Sequence, residues 1–215
     1  MSNTVVIIDY GIGNLFSVRR AFEKCGADVK LSSDAATIRS AERVVLPGVG
    51  AFADGMRGLI ERELDGVVQE YARLGKPLLG ICLGMQMLAD ASEEFGVHDG
   101  LGIIPGRVQA IANTSAAGRP LKIPHIGWAS LQLPPGRADW SNSILASVRP
   151  GDAVYLVHSY GFVPQEPDHR LADVDYGGRT ISAAIQRGHV FGCQFHPEKS
   201  GAVGLEIVQQ FLAFS

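Results

Sequence analysis

Cysteine is scarce in this 215-residue chain, with only Cys25, Cys82 and Cys193, far apart in sequence. That excludes a disulfide framework, and no close pair offers the spacing of a zinc site. Basic residues are not clustered. With 19 Lys and Arg against 22 Asp and Glu the formal net charge is -3, which argues against bulk binding of nucleic acid. No apolar run approaches the length of a membrane span, and the first residues lack the basic start and small-residue cleavage site of a secretion signal. Low-complexity tracts, internal repeats and a linker long enough to separate domains are missing as well. What is left, 46% hydrophobic and 19% charged, has ordinary globular composition. One domain over residues 1–215, in a reducing cytoplasm, is the expectation.

The chain is organised around Lys76-Pro-Leu-Leu-Gly-Ile-Cys82-Leu-Gly-Met-Gln-Met-Leu-Ala-Asp90. Pro77 to Ile81 reads as a buried strand and Leu83 to Ala91 as a helix, with a thiol at the junction between Gly80 and Gly84. This is the cysteine form of a nucleophile elbow, in which glycines let a strained turn present the nucleophile above a sheet. A helix starting directly after Cys82 favours thiolate over thiol. An isolated cysteine in an apolar strand is more often a packing residue. The Gly-x-Cys-x-Gly spacing reverses that preference, whereas Cys25 and Cys193 keep it.

Before the elbow, Thr4 to Ile8 is a β-branched buried strand ending in Asp9-Tyr-Gly-Ile-Gly13-Asn14. Leu15, Val18, Phe22 and Cys25 repeat at helical spacing up to Gly26. The glycines do not complete a dinucleotide fingerprint, since Phe16 stands where its third glycine belongs. Asp28 to Leu31 and Arg43 to Leu46 are further strands. The second runs into Pro47-Gly-Val-Gly-Ala-Phe52, a loop able to turn N–H groups toward an anion. Met56, Ile60, Leu64, Val67, Tyr71 and Leu74 predict one long amphipathic helix ended by Gly75. Strand–helix alternation over the first ninety residues predicts an α/β fold, a mostly parallel sheet flanked by helices.

After Asp90 short strands alternate with turns: Arg107 to Ile111, Lys122-Ile123 and Ser130 to Leu133. Pro124 to Trp128 places a His and a Trp at a glycine turn. Ala153 to Val157 is a buried strand ending in His158-Ser-Tyr160. Val190 to Phe195 is another, ending in His196-Pro-Glu198-Lys199, and a helix over Val203 to Phe214 follows. A cysteine nucleophile needs a base, and the base needs a group to hold its ring. His196 and Glu198, two apart in an extended segment, share one face. Glu198 can then fix the His196 tautomer and stabilise the imidazolium.

Gly80-Ile-Cys82-Leu-Gly-Met-Gln86 together with Gln194-Phe-His196-Pro-Glu198 resembles the class I (triad) glutamine amidotransferases, of flavodoxin-like fold. Asp9 to Val18, Pro47 to Phe52, Met85, Val157 to Tyr160 and His196 to Ser200 are similar to one branch, the glutaminase subunits of imidazole glycerol phosphate synthases. The resemblance covers nearly the whole chain. It implies that Cys82 is nucleophile, His196 acid/base and Glu198 its orienting partner. The oxyanion would be held by backbone N–H groups of Leu83 and of the Val49–Gly50 loop. Glutamine would be contacted by Gly48, Gly50, Gln86, Ser159 and Tyr160. Asn14, Trp128, Tyr155 and Lys199 would lie toward a (β/α)₈ cyclase subunit in a heterodimer that makes imidazole glycerol phosphate and aminoimidazole carboxamide ribotide for histidine biosynthesis. No metal or nucleotide cofactor is implied. One departure is Ala129, where the branch usually has Asn after the Trp. It leaves open a paralogous glutaminase serving another synthase, such as a sugar amidotransferase.

Overall fold

The computed structural model describes residues 3–214. Thr4–Ile8 forms β1, Leu15–Lys24 α1, Asp28–Ser32 β2, Ala35–Ser40 α2 and Val44–Gly48 β3. Phe52–Ile60 is α3, Asp65–Arg73 α4, Leu78–Cys82 β4 and Leu83–Met87 α5. The strands Ala91–Ser92 (β5), His98–Asp99 (β6), Gly106–Ala110 (β7), His125–Ser130 (β8), Ala153–His158 (β9) and Tyr160–Pro164 (β10) come next. Arg170–Tyr176 (β11), Arg179–Arg187 (β12), Val190–Cys193 (β13) and the helix Gly201–Ala213 (α6) complete the order.

The main sheet runs β11-β12-β13-β4-β3-β1-β2. From β13 to β2 neighbours are parallel, and β12 and β11 extend it antiparallel. The inner parallel strands β1, β3, β4 and β13 are almost wholly apolar because they are covered on both faces, whereas the edge strand β2 carries Asp28 and Lys30. Val5 and Ile7 pack with Val18 and Phe22 of α1 and Ile207 and Phe211 of α6. Val6 and Ile8, pointing the other way, pack with Ile38, Leu59, Val68 and Leu83 from α2 to α5. A small sheet, β10-β7-β5-β6, and the ribbon β8-β9 lie beside the antiparallel end, β10 against β12 and β8 against β11. The parallel order β2-β1-β3-β4-β13 is the flavodoxin-like one, which places ligands beyond the carboxyl ends of the strands.

Five sequence expectations are corrected. The long helix over Met56–Leu74 is two helices: Glu63 adopts φ 55 and Leu64 N donates back to Leu59 O at 2.9 Å, turning the chain. The apolar period ran on because Leu64 is buried as it enters α4, whereas Ile60 and Leu74 are exposed. The helix after Cys82 stops at Met87, because its last carbonyls bond to the following loop: Leu101 N to Met87 O at 2.9 Å, Ile103 N to Leu88 O at 2.9 Å. Ala91 thus becomes strand rather than helix. His125 to Trp128 is not a turn but the body of β8, and Gly127 (φ 147) keeps its place in the ladder opposite Leu156. Neither Lys122-Ile123 nor Ser130 to Leu133 forms a strand of its own; Ser130 is instead the last residue of β8.

Candidate active site

Three loops at the carboxyl edge meet because register brings them together. Gly48 pairs with Cys82 and Cys193 with Ile81, so the residues after β3, β4 and β13 emerge side by side. Cys82 has φ 55 and ψ -110, the strained geometry that lifts a nucleophile off the strand end. The two elbow glycines have a steric reason. A Cβ on Gly80 would lie 2.7 Å from Gly84 O, and one on Gly84 only 1.8 Å from Leu46 O. Helix α5 therefore rests backbone to backbone on β3 and β4, which is how a thiol at its start reaches the cavity.

His196 leaves the sheet just past β13, 3% exposed. Its Nδ1 is 2.8 Å from Glu198 Oε1, with the Glu198 side chain 2% exposed, and the ring shares the cavity with Cys82, which acts on its titration. The pairing is the expected one, but its local cause differs. Pro197–Lys199 is a 3-10 turn, not an extended segment, and it curls the carboxylate back under the ring. Ser200 pins this turn: its hydroxyl donates to His196 O at 2.7 Å and accepts from Tyr155 N at 3.0 Å. Burial alone would lower the His196 pKa. The bonds to Cys82 and Glu198 and their charges outweigh it, raising the pKa from 6.5 to about 9. The folded state thereby gains stability that is complete below 6.5 and is lost as pH rises through about 9. In an NMR titration of wild type the His196 midpoint should stand near 9. Glu198→Gln should bring it down, because an amide keeps the ring in place but no longer balances its charge. An unmoved midpoint would remove Glu198 from the ring's electrostatics.

The remaining candidates separate clearly. His158, which lines the same cavity as the thiol, is held down at about 4 by burial, against its bond to Tyr160 O, with His125 lowering it further. It stays neutral where His196 carries a proton. Burial pushes the Cys193 thiol up, with the Glu198 charge adding to it, and burial raises Cys25 as well, so both remain packing thiols. All three cysteines are free.

Cys82 and His196 open into a cavity of about 340 Å³ lined also by Val49, Gly50, Leu83, Gln86, Ser159 and Tyr160. Larger cavities of about 540 and 500 Å³ lie elsewhere, but no cysteine lines either. The lining matches the residues expected from sequence except Gly48. Gly48 lies behind the wall, where a Cβ would strike Leu83 and the Tyr10 hydroxyl, each at 2.8 Å. Gly50 has φ 93, an angle that only glycine holds without strain, and Val49 is 40% exposed.

Sequence reasoning missed three residues here. Glu94 lines the cavity and accepts from Phe52 N at 2.6 Å, tying the 49–51 loop to the segment after β5. Tyr10, fully buried, donates to Pro47 O at 2.7 Å at the other end of that loop. Gln194 is fully buried beside Cys82. Tyr10 and Gln194 sat inside motifs already quoted, but nothing in a linear pattern says which motif residue touches which.

The four residues expected at a partner face are spread around this edge. Trp128, 58% exposed, faces Tyr155 across the β8-β9 ladder with ring centroids 6.0 Å apart. Lys199 is exposed on the 3-10 turn, which packs against β9 and α1, and Asn14 caps α1, accepting from Ser17 N at 3.4 Å. Ala129, next to Trp128, packs against the core instead, so its departure from Asn bears on packing more than on that face.

Residues 6–213 match the family model for glutamine amidotransferase class-I. The chain is 51% identical over 210 residues to imidazole glycerol phosphate synthase subunit HisH 1 of Legionella pneumophila (strain Lens), covering 98% of this chain and 99% of that one. It is 47% identical over 221 residues to the HisH subunit of Rhodospirillum rubrum, covering 98% and 99%. Among solved structures it resembles PurLQS from Thermotoga maritima with a TM-score of 0.72, at 18% identity and over 99% of this chain and 98% of the other. At that identity the likeness speaks for the fold. Fold, family model and full-length identity agree: the chain belongs to the class-I glutamine amidotransferase family, and within it to the family of HisH subunits of imidazole glycerol phosphate synthase.

Proposed function

We propose that this chain is the glutaminase subunit of an imidazole glycerol phosphate synthase, with Cys82, His196 and Glu198 as its catalytic residues. The observation that carries the reading is the row of thiol, imidazole and buried carboxylate, with the thiol and imidazole opening into a cavity large enough for an amino acid. Cys82 passes its proton to His196 and attacks the side-chain carbonyl carbon of glutamine. His196 returns the proton to the departing nitrogen, ammonia leaves, and a γ-glutamyl thioester remains. Water, deprotonated by His196, then cleaves the thioester to glutamate and the free thiol. Leu83 N–H, which has no partner within its own helix, and an amide of the Val49–Gly50 loop hold the oxyanion. Loss of one such donor costs about 2.7–4 kcal/mol.

Gln86, Ser159, Tyr160 and Gly50 hold glutamine in the cavity, and Gly48 shapes the wall behind them. Glu94 supplies the negative charge suited to the substrate's α-ammonium. Ammonia passes to a (β/α)₈ cyclase subunit docked over Asn14, Trp128, Tyr155 and Lys199, and both work in the cytoplasm. The test measures glutamate released and cyclised product formed, with the cyclase and its ribonucleotide ligand each omitted in turn. Low turnover alone and a large rise with both present is the expected result. Lys199→Ala should uncouple the two products while leaving the triad intact. Full activity of the isolated chain, or indifference to the cyclase, would reject this synthase and favour a paralogue serving another acceptor.

A further inference from the structure

Gln194 sits beside Cys82 with no exposed surface. A buried carboxamide is costly unless its polar atoms are bonded, and a Leu or Met would fill the same space without that cost. Its bonds are specific. Gln86 Nε2 donates to Tyr160 O at 3.1 Å and to Gln194 Oε1 at 2.9 Å, and Gln194 Nε2 lies 3.8 Å from Cys82 Sγ. The orientations follow in sequence. A main-chain carbonyl can only accept, so Tyr160 O fixes which end of the Gln86 amide faces it. That end then meets the Gln194 oxygen, and the Gln194 amide nitrogen must face the sulfur. The main chain holds the base of this arrangement through Gln194 N to Ala183 O at 2.9 Å.

Building on the glutaminase reading, we propose that Gln194 is a positioning residue for the nucleophile. Its N–H donates to the Cys82 sulfur, and Tyr160 imposes the required orientation through Gln86. A donor aimed at sulfur favours the thiolate over the thiol and holds the sulfur in one rotamer. The arrangement also joins the cavity wall to the nucleophile, since Tyr160 and Gln86 line the substrate space while Gln194 does not. A shift of the Tyr160 segment would therefore reach the sulfur through three hydrogen bonds in series.

The test follows alkylation of Cys82 by iodoacetamide across pH, read on the Cys82 peptide by mass spectrometry so that Cys25 does not contribute. Gln194→Leu should move the pH of half-maximal reactivity upward by about one unit, the effect of losing one hydrogen bond to an ion. Gln194→Glu, which keeps the shape and the oxygen facing Gln86, should move it further by placing a carboxylate at the sulfur. Gln86→Leu should move it in the same direction by less, since Gln194 loses only its orienting donor. A role in packing alone would lower reactivity at every pH and leave the midpoint in place. In the unsubstituted, ¹⁵N-labelled protein the Gln194 side-chain amide protons should shift when Cys82 is alkylated, a measurement that needs no variant to fold. Unmoved midpoints, or amide resonances indifferent to alkylation, would overturn the assignment whether or not glutamine is hydrolysed. Failure of the wild-type complex to release glutamate would instead overturn the glutaminase reading.

Discussion

Cys82→Ala should lower glutamine hydrolysis on the order of 10⁴-fold or more while the protein stays folded, measured as glutamate release by the complex with its cyclase. The size follows from the chemistry. Without the thiol no thioester forms, and the oxyanion donors and His196 are left to promote direct attack by water, which retains only a small fraction of the rate. Folding should survive because the site is built by backbone. The close approach of α5 to β3 and β4 is made by Gly80 and Gly84, and alanine at position 82 adds no atoms. The same variant carries a second signature. The Cys82 bond and charge help hold the His196 pKa near 9, so their removal should lower the His196 midpoint. Loss of turnover without that change would mean that thiol and imidazole do not meet in solution. Substantial turnover by Cys82→Ala would exclude it as the nucleophile.

The elbow was legible in sequence because its requirements are local. A buried strand, two glycines and a cysteine at fixed spacing admit few other arrangements, and the structure supplies the steric reasons at Gly80 and Gly84. The parallel strands were legible for a related cause. Strands buried on both faces must be apolar at every position, and β1, β3 and β4 read that way. What failed was decided by tertiary contact. The stop of α5 at Met87 depends on carbonyls bonded by residues 101–104, far along the chain. The break between α3 and α4 hid behind a period that happened to stay in phase through Leu64. The hairpin β11-β12, which widens the sheet and closes through a paired glycine turn at Gly177-Gly178, was not among the expected strands. Of the residues gathered at the cavity, the thiol, the imidazole and its carboxylate neighbour were expected from their chemistry. Tyr10, Glu94 and Gln194, which stand out only by their contacts, needed three dimensions.

Gly84→Ala should destabilise the fold more than any other single methyl group added near the site, by about 3 kcal/mol or more. The added Cβ would sit 1.8 Å from Leu46 O and 2.8 Å from Leu46 C, both main-chain atoms of β3. No side-chain rotation relieves that contact, so α5 must lift away from the sheet by more than an ångström. Lifting it separates Leu83, fully buried against Phe52 and Leu59 in the same cluster, from its neighbours. It also moves the Leu83 N–H and the Cys82 sulfur relative to the loop after β3, so activity should fall together with stability. Gly66→Ala is the matched control. Gly66 lies within α4, a Cβ there meets nothing within 4 Å, and its φ is not positive, so alanine should stabilise the helix by about 0.5–1 kcal/mol. Chemical denaturation of the two variants beside wild type measures both signs at once. A Gly84→Ala protein as stable as wild type would show that α5 does not rest on β3 as described, and the elbow geometry would fall with it.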